Sequence, residues 1–197
     1  LALGDSYTSG EGDTEKNPSG GKYYREYTNN EEDKDQKRPR EKCHVSTRSY
    51  PYILAQGMNL GGPVASPATK WQTVACSGAQ KYDISNTSAD YLGQGKGGSE
   101  GGKPRLDGYL TAKQLQASAL NEFIPGREKQ IEFVKRYRPK AITLTMGGND
   151  VGFADKIENC VMSITTCEFA QVENRQKLKN ELRDEYASLV SMYRMLH

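Results

Sequence analysis

The sequence predicts an α/β fold: a three-layer α/β/α sandwich with a mainly parallel sheet, incomplete at both ends. Three observations predict it. Apolar, strand-like stubs at Leu1–Leu3, Trp71–Cys76 and Ala141–Met146 each run into glycine and small polar residues. Segments with helical periodicity follow each stub, so strand and helix alternate. The first and last stubs end alike, in Gly4-Asp5-Ser6 and Gly147-Gly148-Asn149-Asp150. In open α/β sheets, ligands bind just beyond the carboxyl ends of parallel strands, so these two ends bring Ser6 and Asn149 to one crevice.

The bulk properties suit one domain over residues 1–197. Hydrophobic residues make up 35% and the mean hydropathy is −0.80, a polar balance for such a domain. The polarity is concentrated in residues 11–48 and 93–108, which points to large solvated loops on an ordinary core. A net charge of +2, from 27 basic and 25 acidic residues without a single-sign block, excludes the basic stripe of a nucleic-acid binder. No run approaches the about 20 apolar residues that span a bilayer. A central strand averages about five or six residues. Only Leu1–Leu3 precede Gly4, so the first strand is expected to begin upstream of this sequence, as would any signal peptide.

The elements follow in order. Ser6 opens a short turn able to start a helix. A charged surface insertion then covers about 13–42; its core, Asn29–Lys42, has no apolar side chain to bury and reads as a mobile surface loop. Ser49-Tyr50-Pro51 begins a helix to Met58, with Ser49 as N-cap and Tyr50, Ile53 and Leu54 sharing a face. Trp71–Cys76 reads as the second strand. Residues 93–108 hold seven glycines and resemble a lid. Glu128–Arg138 reads as a helix stopped by Pro139, with Ile131, Val134 and Tyr137 inward. Ala141–Met146 reads as a buried parallel strand. After an irregular stretch over 155–168, a long helix carries a seam of Leu178, Leu182, Tyr186, Leu189, Tyr193 and Leu196.

The four cysteines, Cys43, Cys76, Cys160 and Cys167, form no Cys-x-x-Cys pair, and only two histidines accompany them, which argues against a zinc site. An even count with one local and one longer natural pairing suggests two disulfides, Cys43–Cys76 and Cys160–Cys167, and hence an oxidising compartment; four reduced thiols are the alternative.

Ser6 is the candidate nucleophile. Its own N–H, the N–H of Gly78 in the small-residue turn Ser77-Gly78-Ala79, and the Asn149 side chain are candidate donors to one oxyanion. Each tripeptide alone is an ordinary turn; together, each after an apolar strand, they point to acyl transfer. In this arrangement the blocks Gly4–Gly12, Ser77–Ala79 and Gly147–Phe153 resemble the three N-terminal signature blocks of the SGNH hydrolases, or GDSL esterases and lipases. Cys43, the Ser49-Tyr50-Pro51 helix start, Cys76 and the Cys160/Cys167 pair resemble the secreted, disulfide-bonded lipase and phospholipase branch of actinomycete type. The resemblance covers roughly residues 1–170. It implies a flavodoxin-like sandwich, Ser6 as nucleophile, an oxyanion hole of the Ser6 and Gly78 N–H groups with Asn149, and turn-forming, orienting roles for Asp5 and Asp150.

One signature is missing. The family carries its general base in an Asp-x-x-His block near the C-terminus, and this sequence has none. His44 is expected to be a surface or supporting histidine, and His197 an arbitrary stopping point. The chain thus reads as a fragment of a longer enzyme that hydrolyses carboxylic esters through an acyl-serine, itself lacking the base. The alternatives are a carbohydrate esterase with the same blocks, a catalytically inactive binding module, and last a flavodoxin-like phosphate or nucleotide binder, which would want a glycine-rich phosphate loop after the first strand. Tyr7, Met146 and Phe153 are candidate linings of an acyl trough. No metal or organic cofactor is implied. The implied partners are a small-molecule or lipid ester and, transiently, a lipid surface, with no nucleic acid; the protein is expected to be monomeric and secreted.

Overall fold

The computed structural model of the chain describes residues 1–21, 23–25, 43–63, 68–85, 117, 119–126 and 128–152, and near the C-terminus 176, 179–180, 182–183, 186–187, 189–194 and 196. The architecture is mixed α/β. Ala2–Gly4 form β1 and Thr143–Thr145 form β2, paired in parallel with Ala2 opposite Thr143, Leu3 opposite Leu144 and Gly4 opposite Thr145. Residues 72–76 run along the other edge of β1. There Ala2 donates to the Gln72 carbonyl at 2.8 Å, and Val74 and Cys76 donate to the Ala2 and Gly4 carbonyls, each at 3.0 Å. Only the parallel Ala2–Thr73 bridge qualifies as strand pairing, so the strand predicted over Trp71–Cys76 is reduced to this contact. β1 is nevertheless bonded to parallel chain on both sides.

The alternation Thr143-Leu144-Thr145 assigns the two faces of the sheet, because successive strand side chains point opposite ways. Leu144 joins Leu3 and Val74 in the main core with Ile84, Phe123, Phe133 and Met192. The threonines face the other way: Tyr50 Oη donates to Thr143 Oγ1 at 3.1 Å, and Thr145 Oγ1 lies 2.6 Å from Thr8 Oγ1. β2 is half-buried, not fully buried as its apolar run predicts, since two of its three side chains are hydroxyls held by polar neighbours.

Short helices are arranged around these strands. α1 (Ser6–Ser9) is capped by Asp5, whose Oδ1 accepts the Tyr7 N–H at 3.1 Å, and it ends at Gly10 in a left-handed conformation. α2 (Tyr50–Gly57) starts where expected, with Pro51 in its first turn, but Ser49 makes no side-chain cap; its Oγ donates to the Ser46 carbonyl at 2.8 Å. The face of α2 also differs from expectation. Pro51 and Ala55 are buried, whereas Ile53 is 62% and Leu54 47% exposed. These two small residues at i and i+4 let the helix sit close, and Tyr50 turns its hydroxyl to β2. α3 (Lys81–Ser85) is held at its start by Asp83, whose Oδ2 accepts the Gln80 N–H at 2.8 Å.

α4 (Gln130–Tyr137) ends at Arg138, in a left-handed conformation just before Pro139. Ile131 is buried as predicted; Phe133 and Gln130 are buried too, and neither belongs to the predicted face. Phe133 stacks toward Phe123, which stacks on Tyr137 with ring centroids 4.4 Å apart. The described residues from 176 to 194 are helical. Their packed seam runs through Leu189, Met192 and Leu196, while Leu182, Tyr186 and Tyr193 of the predicted seam are exposed. Met192 is one helical position from Tyr193, so the buried stripe is rotated relative to the expected one.

The Cys43–Cys76 disulfide is present, and with Val45 and Ala79 it forms a second, smaller core cluster. The start of the charged insertion is tied down: Arg48 pairs with Asp13 and Glu15 and lies over the Tyr23 ring, and Tyr24 bridges Ser46 in antiparallel fashion. Residues 26–42, the glycine-rich 93–108, the stretch 155–168, Phe153, Leu178 and the Cys160–Cys167 pairing lie outside the described residues.

Candidate functional site

Gly4 shows why the first block has this sequence. Its φ is +136°, and a Cβ there would lie 2.4 Å from the Thr145 carbonyl oxygen and 2.6 Å from Thr8 Oγ1, so only glycine fits. Gln130 brackets the same residue. The Gly4 N–H donates to Gln130 Oε1 at 2.7 Å, and Gln130 Nε2 donates to the Gly4 carbonyl at 2.9 Å. That carbonyl also accepts from Cys76, so the end of β1 is fastened to α4, to residue 76 and to β2 together.

Asp5 follows, 2% exposed. Its Oδ1 accepts from Tyr7 N–H and, at 2.9 Å, from Thr145 Oγ1. Because Thr145 spends its single proton on Asp5, the short contact between Thr8 and Thr145 has Thr8 as donor, and a directed chain runs Thr8 to Thr145 to Asp5. Burial pushes the Asp5 carboxyl above its ordinary value, against the pull of the bonds from Thr145 and Tyr7. Asp5 therefore caps α1 and ties it to β2 through Thr145. Ser6 comes next, half-buried at the first position of α1, with its carbonyl accepting from Gly10 at 2.9 Å and Glu11 at 3.1 Å.

The second and third blocks are joined by hydrogen bonds. Asn149 Nδ2 donates to the Ala79 carbonyl at 2.9 Å, and Gln80 Nε2 donates to the Asn149 carbonyl at 3.0 Å. The Lys81 N–H, at the first turn of α3, donates to the Asp150 carboxylate at 3.2 Å. Gly78 is buried with φ +74°, the left-handed value that lets this turn close without a Cβ. All three blocks lie just past the carboxyl ends of β1, residues 72–76 and β2. Asn149 has one of its two amide hydrogens committed to Ala79, which leaves the other for a ligand.

Of the two places expected for His44, surface or supporting, the structure takes the second: it is 6% exposed. Its Nδ1 lies 2.6 Å from Glu11 Oε2, and Tyr24 stacks on its ring at 4.9 Å. Its backbone is left-handed, φ +46°, which costs a non-glycine residue about 1–2 kcal/mol and is held by the neighbouring disulfide and the Glu11 bond. Partial burial acts to raise the Glu11 carboxyl. Hydrogen bonds from the His44 ring and the Ser77 hydroxyl, with the His44 charge and the Gly12 N–H, outweigh it and hold Glu11 below its ordinary value. Glu11 and Gln130 are the residues that sequence reasoning missed. Glu11 stood inside the first block as one more loop acid, and Gln130 belongs to no apolar period.

Of the candidate acyl linings, Tyr7 is 63% exposed beside Ser6, and Met146 is half-buried and packs against both core clusters. A cavity of about 550 Å³, with Leu54, Met58, Trp71, Phe123 and Tyr137 in its walls, lies at the opposite, amino end of the strands and is separate from this site. Among the described residues there is no group of three or more His, Cys, Asp or Glu able to hold a metal ion, and no helix long and apolar enough to cross a membrane. No protein-family model, characterised protein or solved structure matches the chain.

Proposed function

We propose that this chain is the larger part of an SGNH-type hydrolase domain, a three-layer α/β/α sandwich that cleaves carboxylic esters of the lipase, esterase or phospholipase kind. The observation that carries the reading is the meeting of the Gly4–Ser6, Ser77–Ala79 and Gly147–Asp150 turns beyond parallel chain ends, the last two bonded through Asn149 and Ala79. Two bulkier facts support it: packing on both faces of the sheet, and a disulfide of the kind found in oxidising compartments.

In this reading Ser6 Oγ attacks the ester carbonyl and the proton passes to a general base. The carbonyl oxygen, now negative, receives the Ser6 N–H, the Gly78 N–H and the free hydrogen of Asn149 Nδ2; the alcohol leaves, and water then releases the acid from the acyl-serine. Asp5 holds α1, and with it Ser6, against β2. The reading takes its general base from an Asp-x-x-His block, which these 197 residues do not contain; His44, 6% exposed and bonded to Glu11 through Nδ1, is not assigned that role.

The test is covalent labelling with a fluorophosphonate, mapped by peptide mass, on the full-length protein and on the 197-residue chain. Labelling at Ser6 in the first and scarcely in the second is expected. Equal labelling of both would put the base within this chain. No labelling of either, with both folded, would overturn the hydrolase reading in favour of a binding module.

A further inference from the structure

Two dipeptides far apart in sequence, Cys43-His44 and Cys76-Ser77, are fastened to each other three times over. The disulfide joins their first members, the Ser77 N–H donates to the Cys43 carbonyl at 3.1 Å, and the second members share one carboxylate, Glu11. Glu11 is bound at its other end to the nucleophile's residue, since its N–H donates to the Ser6 carbonyl at 3.1 Å. It is thus a single residue whose backbone grips Ser6 and whose side chain grips Ser77, the residue immediately before Gly78.

From this geometry we infer that Glu11 is a positioning residue: it sets the spacing between the Ser6 hydroxyl and the Gly78 N–H, with His44 as the buttress that holds its carboxylate in place. The inference rests on the hydrolase reading and adds a role to it that none of the three signature turns supplies. The physical need is plain. An oxyanion donor acts only within about 2.7–3.1 Å of the developing charge, and misplacement by about 1 Å costs on the order of a hundredfold in rate. A peptide N–H in a glycine turn has no side chain of its own to fix it. Here the turn is fixed from the residue before, through its N–H to Cys43 and its hydroxyl to Glu11, and from the residue after, through the Ala79 N–H to the Cys76 carbonyl at 3.0 Å. Of these anchors only Glu11 also reaches the nucleophile.

The carboxylate suits the task better than a neutral acceptor. It has lone pairs for both the His44 ring and the Ser77 hydroxyl, and needs no proton of its own. Two hydrogen-bond donors are then drawn to one charge from different parts of the chain, which aligns the loop after α1 with the disulfide-linked pair.

The experiment uses the full-length protein with a soluble ester and a fluorophosphonate. Glu11→Ala is expected to lower kcat and the phosphonylation rate at Ser6 by roughly tenfold to a hundredfold, with KM changed less than about twofold. Glu11→Gln, which keeps the length and one acceptor, is expected to restore most of that loss. Ser77→Ala should reproduce the defect, and the Glu11→Ala/Ser77→Ala pair should be no worse than Glu11→Ala alone. A thermal midpoint for each variant separates misfolding from mispositioning. Wild-type labelling at Ser6 with unchanged kcat in folded Glu11→Ala would overturn this inference and leave the hydrolase reading standing. Additive losses in the double variant would overturn it equally. Absence of Ser6 labelling in the wild type would remove both.

Discussion

Replacing Gly4 by alanine should unfold a large fraction of the molecule's stability from a single methyl group. The added Cβ meets the Thr145 carbonyl oxygen at 2.4 Å, Thr8 Oγ1 at 2.6 Å and the Thr145 N at 3.0 Å, and two of those three atoms are backbone of the paired strand. Rotating a side chain away relieves only Thr8. Holding an alanine at φ +136° costs about 1–3 kcal/mol. Forcing β2 aside costs about 1–3 kcal/mol more as overpacking, before any loss of the Gln130 bracket. The total, about 2–6 kcal/mol, compares with the about 5–15 kcal/mol that stabilises an ordinary domain. The assay is urea unfolding followed through Trp71, the sole tryptophan, which is 9% exposed and donates to the Gly61 carbonyl at 2.7 Å. Its emission reports directly on the part of the chain beside β1. A midpoint shift equivalent to less than about 1 kcal/mol would show that β2 yields freely at Thr145, and the account of the first block as sterically determined would fail.

Three further outcomes are expected. Asp5→Asn keeps the Oδ1 that accepts from Tyr7 and Thr145, and should cost little or even stabilise at pH 7; Asp5→Ala loses the cap and should cost about 1–2 kcal/mol in chemical denaturation. Because burial raises the folded-state value of Asp5 above its ordinary 3.8, the charged form carries the cost, so any advantage of Asp5→Asn over wild type should shrink as the pH falls toward 4. The paired substitution of Cys43 and Cys76 by serine removes a cross-link spanning 33 residues and should cost about 3–4 kcal/mol on the loop-entropy account, read by the same unfolding assay. In the full-length enzyme, Ser6→Ala should abolish ester turnover, whereas Asn149→Ala should lower kcat by about a hundredfold to a thousandfold and stability by about 1 kcal/mol through the lost bond to Ala79, in steady-state kinetics and denaturation respectively.

The strand ends were legible because an apolar stub that stops at glycine has little other use, and β1, β2 and the segment at 72–76 lie where those stubs are. The Cys43–Cys76 link was legible from pairing alone. Helix faces were less so. α2 is eight residues long and buries Pro51 and Ala55, which a scale of hydrophobicity ranks below the exposed Ile53 and Leu54. At the C-terminal helix, Met192 takes the buried place that the spacing of leucine and tyrosine offers to Tyr193, since a flexible thioether fills an irregular gap that a phenol with a polar tip does not. The polar framework was invisible. Gln130 and Glu11 act on backbone groups and on residues tens of positions away, and no local period or composition announces such a partner.

The Gln130 bracket has a mechanical meaning for the crevice. A side-chain amide that donates to and accepts from the same residue imitates one rung of a further strand, so the last residue of β1 is held by α4 as well as by its strand neighbours. The backbone leading into Ser6 is therefore fixed from three separate parts of the chain, α4, residue 76 and β2. A residue so fixed gives the crevice a constant base, and leaves ligand preference to the side chains around it.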